Sequence, residues 1–382
     1  MACISGSADT GWRAVGNHFS AGRRGWRWKA FDLDKLRIGI IGLGRGRDHA
    51  RRVAESPRCE LIGIADIVEE AAQKAAEELK AQAYYKDYRK LIRAGNLDAV
   101  IISTPNHLHA PMSLACMKAG LHVLVEKPMC NTLREADEMV RTAKRTKRKL
   151  LVGYNYRWRP AFQKTKEIIS TGQLGRLLYA NCVVKTWRAK SYYERAAWRT
   201  KWATQGGGVL MNQATHHLDS LSWWMGEAKM VIGFCENLYH DMEVEDTGSA
   251  FIKFKSGATL NFMASTAVEG SLAPAFEFNG TDATLSFGPT GLVLKAKDAK
   301  EWTKVELPEG GDTTGIQLDA FLDCILNDSP SPVPPEDGRR ALELSLAIYR
   351  SSFLGRPVTL PLRRGQRIHP PTRTAKRRSG RG

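Results

Sequence analysis

Residues 37–50 read RIGIIGLGRGRDHA. The first five form a short apolar run, the signature of a strand buried on both faces. That run leads straight into Gly42-Leu43-Gly44-Arg45-Gly46. Strand, glycine turn and helix together are the context in which a glycine fingerprint means a dinucleotide site. Gly42 permits the tight turn and Gly44 lets the backbone approach a pyrophosphate. The helix that follows offers free N–H groups and a partial positive charge at its N-terminus. The usual third glycine would fall at 47, which is Arg47. Gly46 comes one residue early, so the loop reads as shortened by one, with Gly46 in the close-packing place.

The alternation continues outward from this stretch. Residues 61–65 (LIGIA), 99–103 (AVIIS), 122–125 (HVLV) and 150–153 (LLVG) read as buried strands. Residues 48–56, 69–82, 110–119 and 133–146 read as helices between them. Short apolar strands with helical crossovers predict a doubly wound parallel sheet. Asp66 ends the second strand, where a carboxylate can accept hydrogen bonds from the adenosine-ribose hydroxyls. It would repel a 2′-phosphate, and Ile67 and Val68 offer no cation to bind one. NAD is therefore expected rather than NADP. A helix N-cap is the competing role for Asp66.

After residue 156 the texture changes. Strands are expected at 178–184, 230–235, 249–254, 259–264 and 275–279, several joined through Gly-bearing turns. Residues 251–263 partly alternate apolar and polar, as a half-covered antiparallel sheet does. A helix at 338–352 precedes an extended segment at 357–360. The expected fold class is α/β: an N-terminal Rossmann doubly wound parallel sheet plus a C-terminal α+β domain with a large, mostly antiparallel sheet. The expected organisation is a flexible extension (1–35), a NAD-binding domain (36–155), a substrate and oligomerisation domain (156–362) and a basic disordered tail (363–382).

Composition narrows the function classes. The chain has 382 residues, 25% charged and 43% hydrophobic, which excludes a wholly disordered polymer. No apolar run reaches the ~18 residues a membrane helix needs. Seven scattered cysteines without a Cys-x-x-Cys pair exclude a disulfide scaffold or zinc ribbon and point to a reducing, cytoplasmic setting. The net charge of +17 invites a nucleic-acid reading. Much of it sits in the last 20 residues, which read as a solvated tail, so no nucleic-acid partner is expected.

Five motifs, in order, resemble the Gfo/Idh/MocA oxidoreductases, which include glucose–fructose oxidoreductase and inositol dehydrogenase. They are GLGRGRDHA (42–50), STPNHLHAP (103–111), VEKPM (125–129), GYNYRW (153–158) and GGGVLMNQATHHLD (206–219). The resemblance covers about residues 36–362. It implies hydride transfer between NAD and a hydroxyl-bearing carbon of a sugar, sugar derivative or cyclitol. It also implies Gly42, Leu43, Gly44, Arg45, Gly46, Asp66, Thr104, Pro105, Asn106, His109, Glu126 and Lys127 around the cofactor. Lys127, after the fifth strand, would polarise the reacting hydroxyl, and Pro128 makes a cis bond before it plausible.

Alcohol oxidation needs a base, and an imidazole titrating near ~6.5 suits that task. The family's histidine matches His216. Its aspartate four residues earlier is Asn212 here, which can orient a hydroxyl but not take a proton. On a helix the two would share a face. Trp198 and Arg199, with Arg157 and Tyr193, are the expected substrate contacts, since aromatic faces and an Arg fork suit a sugar or sugar acid. No metal is expected: adjacent His216 and His217 on a helix point about 100° apart. Two alternatives share the cofactor site: a NAD-recycling glycosidase and a non-catalytic NAD-binding regulator. A homodimer or homotetramer is expected from the resemblance.

Overall fold

The computed structural model describes residues 35–268, 275–288 and 291–362. The expected N-terminal extension and basic tail lie outside the described residues. The described residues form one compact unit with two sheets.

The first sheet has six parallel strands: β1 (Leu36–Ile41), β2 (Cys59–Ala65), β3 (Ala83–Tyr85), β4 (Ala99–Ile102), β5 (His122–Val125) and β6 (Leu150–Val152). Their order, β3-β2-β1-β4-β5-β6, reverses between β1 and β4. Ligands bind at the carboxyl ends of the strands beside such a switch point. The crossovers are α1 (Gly46–Glu55), α2 (Glu69–Leu79), α3 (Tyr88–Arg93), α4 (Asn106–Lys118) and α5 (Leu133–Thr146). Strands β4 to β6 are almost wholly sealed, because helices cover both faces.

Three differences from the sequence expectation stand out. Helix α4 starts at Asn106 rather than at 110 and carries Pro111 inside it. Helix α1 starts at Gly46 itself. Strand β3 and helix α3 were not anticipated, because AYY and YRKLIR are too short to show a period.

The chain then forms α6 (Pro160–Ser170), β7 (Leu177–Lys185), α7 (Lys190–Glu194), α8 (Trp202–Gln205) and α9 (Thr215–Met225). The remaining strands are β8 (Ala228–Glu236), β9 (Thr247–Phe254), β10 (Thr259–Ser265), β11 (Ala275–Gly280), β12 (Ala283–Gly288), β13 (Gly291–Ala296), β14 (Thr303–Lys304) and β15 (Val358–Thr359). With β7 they form a nine-stranded sheet, β14-β13-β12-β11-β7-β10-β9-β8-β15. Its pairing is antiparallel except between β7 and β10.

Helices α10 (Thr313–Leu326) and α11 (Pro335–Leu354) lie between β14 and β15. Helix α11 ties the sheets together: Gly338 lies against Val152 and Met129, and Tyr349 reaches Glu245 just before β9. Among the described residues no helix is long and apolar enough to cross a membrane.

Candidate active site

The glycine loop sits at the carboxyl end of β1. Gly42 has φ +89°, and its N–H donates to the Ala65 carbonyl at 2.8 Å. A Cβ there would come within 2.6 Å of the Ser103 carbonyl oxygen, so only glycine fits. At Gly44 the space a Cβ would fill meets only that same oxygen, at 3.9 Å. Its backbone is open to a ligand. Gly46 is buried at the start of α1, and an added Cβ would lie 3.3 Å from Ser103 Cβ. The shortened loop therefore combines a tight turn at Gly42, an open backbone at Gly44 and close packing at Gly46.

The Asp66 carboxylate closes this loop. It accepts from the Leu43 N–H at 2.7 Å and from the Val68 N–H at 2.9 Å. Ile67 beside it is 81% exposed, an apolar plate at the loop's rim. An open glycine backbone, a helix N-terminus and this carboxylate fit a dinucleotide.

Lys127 projects from the end of β5, and its bond to Pro128 is cis, as expected. Its ammonium donates to the Asn212 main-chain oxygen at 3.0 Å and to Asn212 Oδ1 at 3.3 Å. Burial lowers its pKa to about 8, as do the Arg45, Arg199 and Arg188 charges, against the raising pull of Glu126. Glu126 is held from behind: His49 Nε2 lies 2.9 Å from its Oε1. Burial pushes that carboxyl up. The His49 hydrogen bond and the His49 and Lys127 charges outweigh it and hold it at about 2.

The turn carrying Asn212 is anchored by Glu245. This carboxylate accepts from the Gly208 and Leu210 N–H groups at 2.7 and 3.0 Å, and from the Tyr349 hydroxyl at 2.7 Å. Any Cβ at Gly208 would collide with the Glu245 carbonyl. Asn212 Nδ2 donates to the Tyr192 hydroxyl at 2.9 Å, which fixes the amide orientation and leaves Oδ1 toward Lys127.

His216 lies in the first turn of α9 and is half-buried. Its ring stacks on Tyr156, with centroids 4.2 Å apart and planes 9° apart, and Tyr154 meets it edge-on. The Arg159 guanidinium sits 3.5 Å from the same Tyr156 ring. Burial first, and then the Lys127 charge, push the His216 pKa well below its ordinary value. The ring is neutral at physiological pH.

Several expected residues are corrected by this geometry. Asn212 and His216 do not share a helix face: Asn212 lies in the turn before α9 and bonds to Lys127 and Tyr192 instead. Asn106 is 5% exposed, and its amide donates to the Gln205 carbonyl. His109 is 1% exposed, with Nδ1 on the Pro128 carbonyl and Nε2 on that of Thr104, both at 2.8 Å. Both side chains brace the site from inside, whereas Thr104 and Pro105 stay half-exposed at its rim.

Tyr193 is buried, with its hydroxyl 3.0 Å from that of Thr266. Its neighbour Tyr192 faces the site instead. Arg157 is 4% exposed and holds Asp219 through two bonds, at 2.8 and 2.6 Å, and Asp337 at 2.8 Å. It is a buried tie between α9 and α11, with Nε and both terminal nitrogens committed to the two carboxylates. Trp198 and Arg199 remain half-buried beside Tyr192.

Replacing Arg157 with Ala strands Asp219 as an uncompensated buried charge. The expected outcome is a loss of about 3–5 kcal/mol of stability, read by urea denaturation. A variant with native stability and a raised KM would restore the substrate-binding role.

Comparison with known proteins agrees with this picture. A family model described as an oxidoreductase family with an NAD-binding Rossmann fold matches residues 36–154. The GFO/IDH/MocA C-terminal domain model matches residues 162–286. The chain is 27% identical over 347 residues to myo-inositol 2-dehydrogenase of Thermotoga maritima, covering 85% of this chain and 98% of the relative. It is 27% identical over 289 residues to levoglucosan dehydrogenase of Pseudarthrobacter phenanthrenivorans, covering 67% and 74%. Among solved structures, the WlbA dehydrogenase from Bordetella pertussis in complex with NADH and UDP-GlcNAcA superposes with a TM-score of 0.78. That match has 29% identity and covers 86% of this chain and all of the other.

Proposed function

The chain belongs to the Gfo/Idh/MocA oxidoreductase family, and on that premise we propose that Lys127, Asn212 and His216 oxidise a secondary hydroxyl of a sugar or cyclitol with NAD. The observation that carries the reading is the Lys127 ammonium, desolvated and held by Asn212 at the carboxyl edge of the dinucleotide sheet. The relatives' substrates, myo-inositol, levoglucosan and a nucleotide sugar, support the substrate class.

The backbone of Gly42, Leu43, Gly44, Arg45 and Gly46 would hold the pyrophosphate, and Asp66 the adenosine ribose. Thr104, Pro105 and Glu126 would rim the nicotinamide end. NAD, when bound, supplies the hydride acceptor. Lys127 donates a hydrogen bond to the substrate oxygen and favours its developing negative charge. Asn212 orients both lysine and hydroxyl. His216, neutral at rest, takes the hydroxyl proton as the C–O bond becomes double and the C–H bond breaks, and then returns that proton to solvent.

The two shifted groups set a pH profile. His216 must be neutral, so kcat/KM falls only below its depressed pKa, on the acid side of ~6.5. Lys127 must be charged, so kcat/KM falls again as pH rises through about 8. In Asn212→Asp a carboxylate beside Nζ raises the lysine pKa and moves the alkaline limb upward by roughly one unit. Initial rates from pH 5 to 10 measure this. Activity that climbs through pH 8 would make Lys127 the base and overturn the assignment.

A homo-oligomer, dimer or tetramer, is the proposed state. Tyr179, Phe234, Phe251 and Met263 are exposed on one face of the second sheet, which supports association through that face. The proposed setting is the cytoplasm, and the free cysteines of the described residues support it.

A further inference from the structure

Two half-buried arginines flank Tyr192, and no carboxylate among the described residues pairs with either. The Arg188 and Arg199 guanidinium carbons lie 5.0 and 4.5 Å from the Tyr192 ring centroid, beside the tyrosine whose hydroxyl meets Asn212. Arg188 donates only a long hydrogen bond to the Trp187 carbonyl, at 3.5 Å, and Arg199 one to the Tyr192 carbonyl, at 3.4 Å. Arg188 Nε is buried and has no hydrogen-bond partner among the described residues.

Several buried or half-buried arginines of the fold, Arg37, Arg52, Arg58, Arg157 and Arg339 among them, hold a carboxylate. Among the described residues Arg188 and Arg199 have none. Their charges, after that of Arg45, also lower the Lys127 pKa. Guanidinium groups gathered about one tyrosine without counter-charge match an incoming oxyanion, which an arginine fork can bind bidentately. The cofactor's own pyrophosphate does not answer this, because its place is the glycine loop ahead of α1. Arg188 and Arg199 come from the segment between β7 and α8 and flank the substrate side.

We propose that the substrate carries an oxyanion, a carboxylate or a phosphate monoester, and that Arg188 and Arg199 bind it beside Tyr192. The proposal rests on the dehydrogenase reading above and narrows it from sugars in general to anionic ones.

The test uses matched probes with the full-length protein: D-glucuronate against D-glucose, D-galacturonate against D-galactose, and D-glucose 6-phosphate. Binding to the NADH-saturated protein is measured by calorimetry, and NADH formation from NAD is followed at 340 nm in parallel. An anionic probe is expected to bind at least roughly tenfold tighter than its neutral partner in dilute buffer. The margin should shrink severalfold in 0.3 M NaCl, which needs no variant, and approach one in Arg188→Gln and Arg199→Gln. A carboxylate or a phosphate preference would each support the proposal and identify the anion.

Neutral probes binding as well as the anions in every pair, no anionic probe binding at all, or a preference indifferent to salt and to both variants would overturn it. The two readings fail separately. NADH from neutral sugars without anion preference removes the anion site alone. Anion preference without NADH from any probe removes the dehydrogenase reading alone.

Discussion

Replacing Lys127 with Ala is expected to lower kcat/KM by about 10²–10³-fold, the cost of removing one preorganised donor from a developing oxyanion. Three features of the site set this size. The ammonium is desolvated, so its interaction with negative charge is weakly screened. Asn212 fixes it through two oxygens, at 3.0 and 3.3 Å, so little reorganisation is left for the reaction. The His49–Glu126 pair stands behind it and keeps a carboxylate charged at its back. The loss should appear mainly in kcat, because the charge acts where the alkoxide develops. Lys127→Arg keeps the charge but not the point geometry between the Asn212 oxygens, and is expected to rescue little. Steady-state kinetics of the three proteins check this. An Ala variant within a few-fold of wild type removes Lys127 from the mechanism.

His216→Asn is expected to cost about 10²–10⁴-fold, the usual contribution of a positioned general base. Asparagine keeps polarity and approximate size but cannot take a proton. The Tyr156 stack and the Tyr154 edge contact orient the imidazole, so the loss reflects chemistry rather than a collapsed pocket. The acid limb of the pH profile should vanish with it, since no other neutral imidazole replaces it at the site. His217 is 2% exposed and packs on Phe276. Pre-steady-state hydride transfer measured with both proteins separates this from product release. A variant that keeps the wild-type acid limb would assign that limb to another group.

Much of the cofactor half was legible because its signals are local. A continuous apolar run, a glycine turn and a carboxylate after the next strand lie within thirty residues, and each follows from short-range sterics. Gly46, the displaced glycine, lies packed against Ser103 at the start of α1. The substrate half was less legible. Arg157 resembles a substrate arginine in GYNYRW, yet its partners Asp219 and Asp337 lie 62 and 180 residues away, beyond any local pattern. Tyr192 and Tyr193 are adjacent in sequence and point to different places, Tyr192 to Asn212 and Tyr193 to Thr266 just after β10, which no local pattern specifies. Arg188 gave no signal at all, because an unpaired cation is recognised only by the absence of partners in space. Helix α10 was missed because Thr313-Thr314-Gly315 has low helix propensity; the Asp312 cap and packing against α1 and Asn155–Trp158 supply what propensity lacks.

The most direct measurement is the absorbance at 340 nm when the purified protein, NAD and a panel of cyclitols, hexoses, anhydrosugars and sugar acids are mixed one at a time. The site described here predicts NADH from at least one member. A substrate deuterated at the oxidised carbon should pass one deuterium to the reduced cofactor, and Lys127→Ala should stop the signal. Tight NAD binding with no NADH from any member, and no deuterium in the cofactor, would contradict the proposed chemistry.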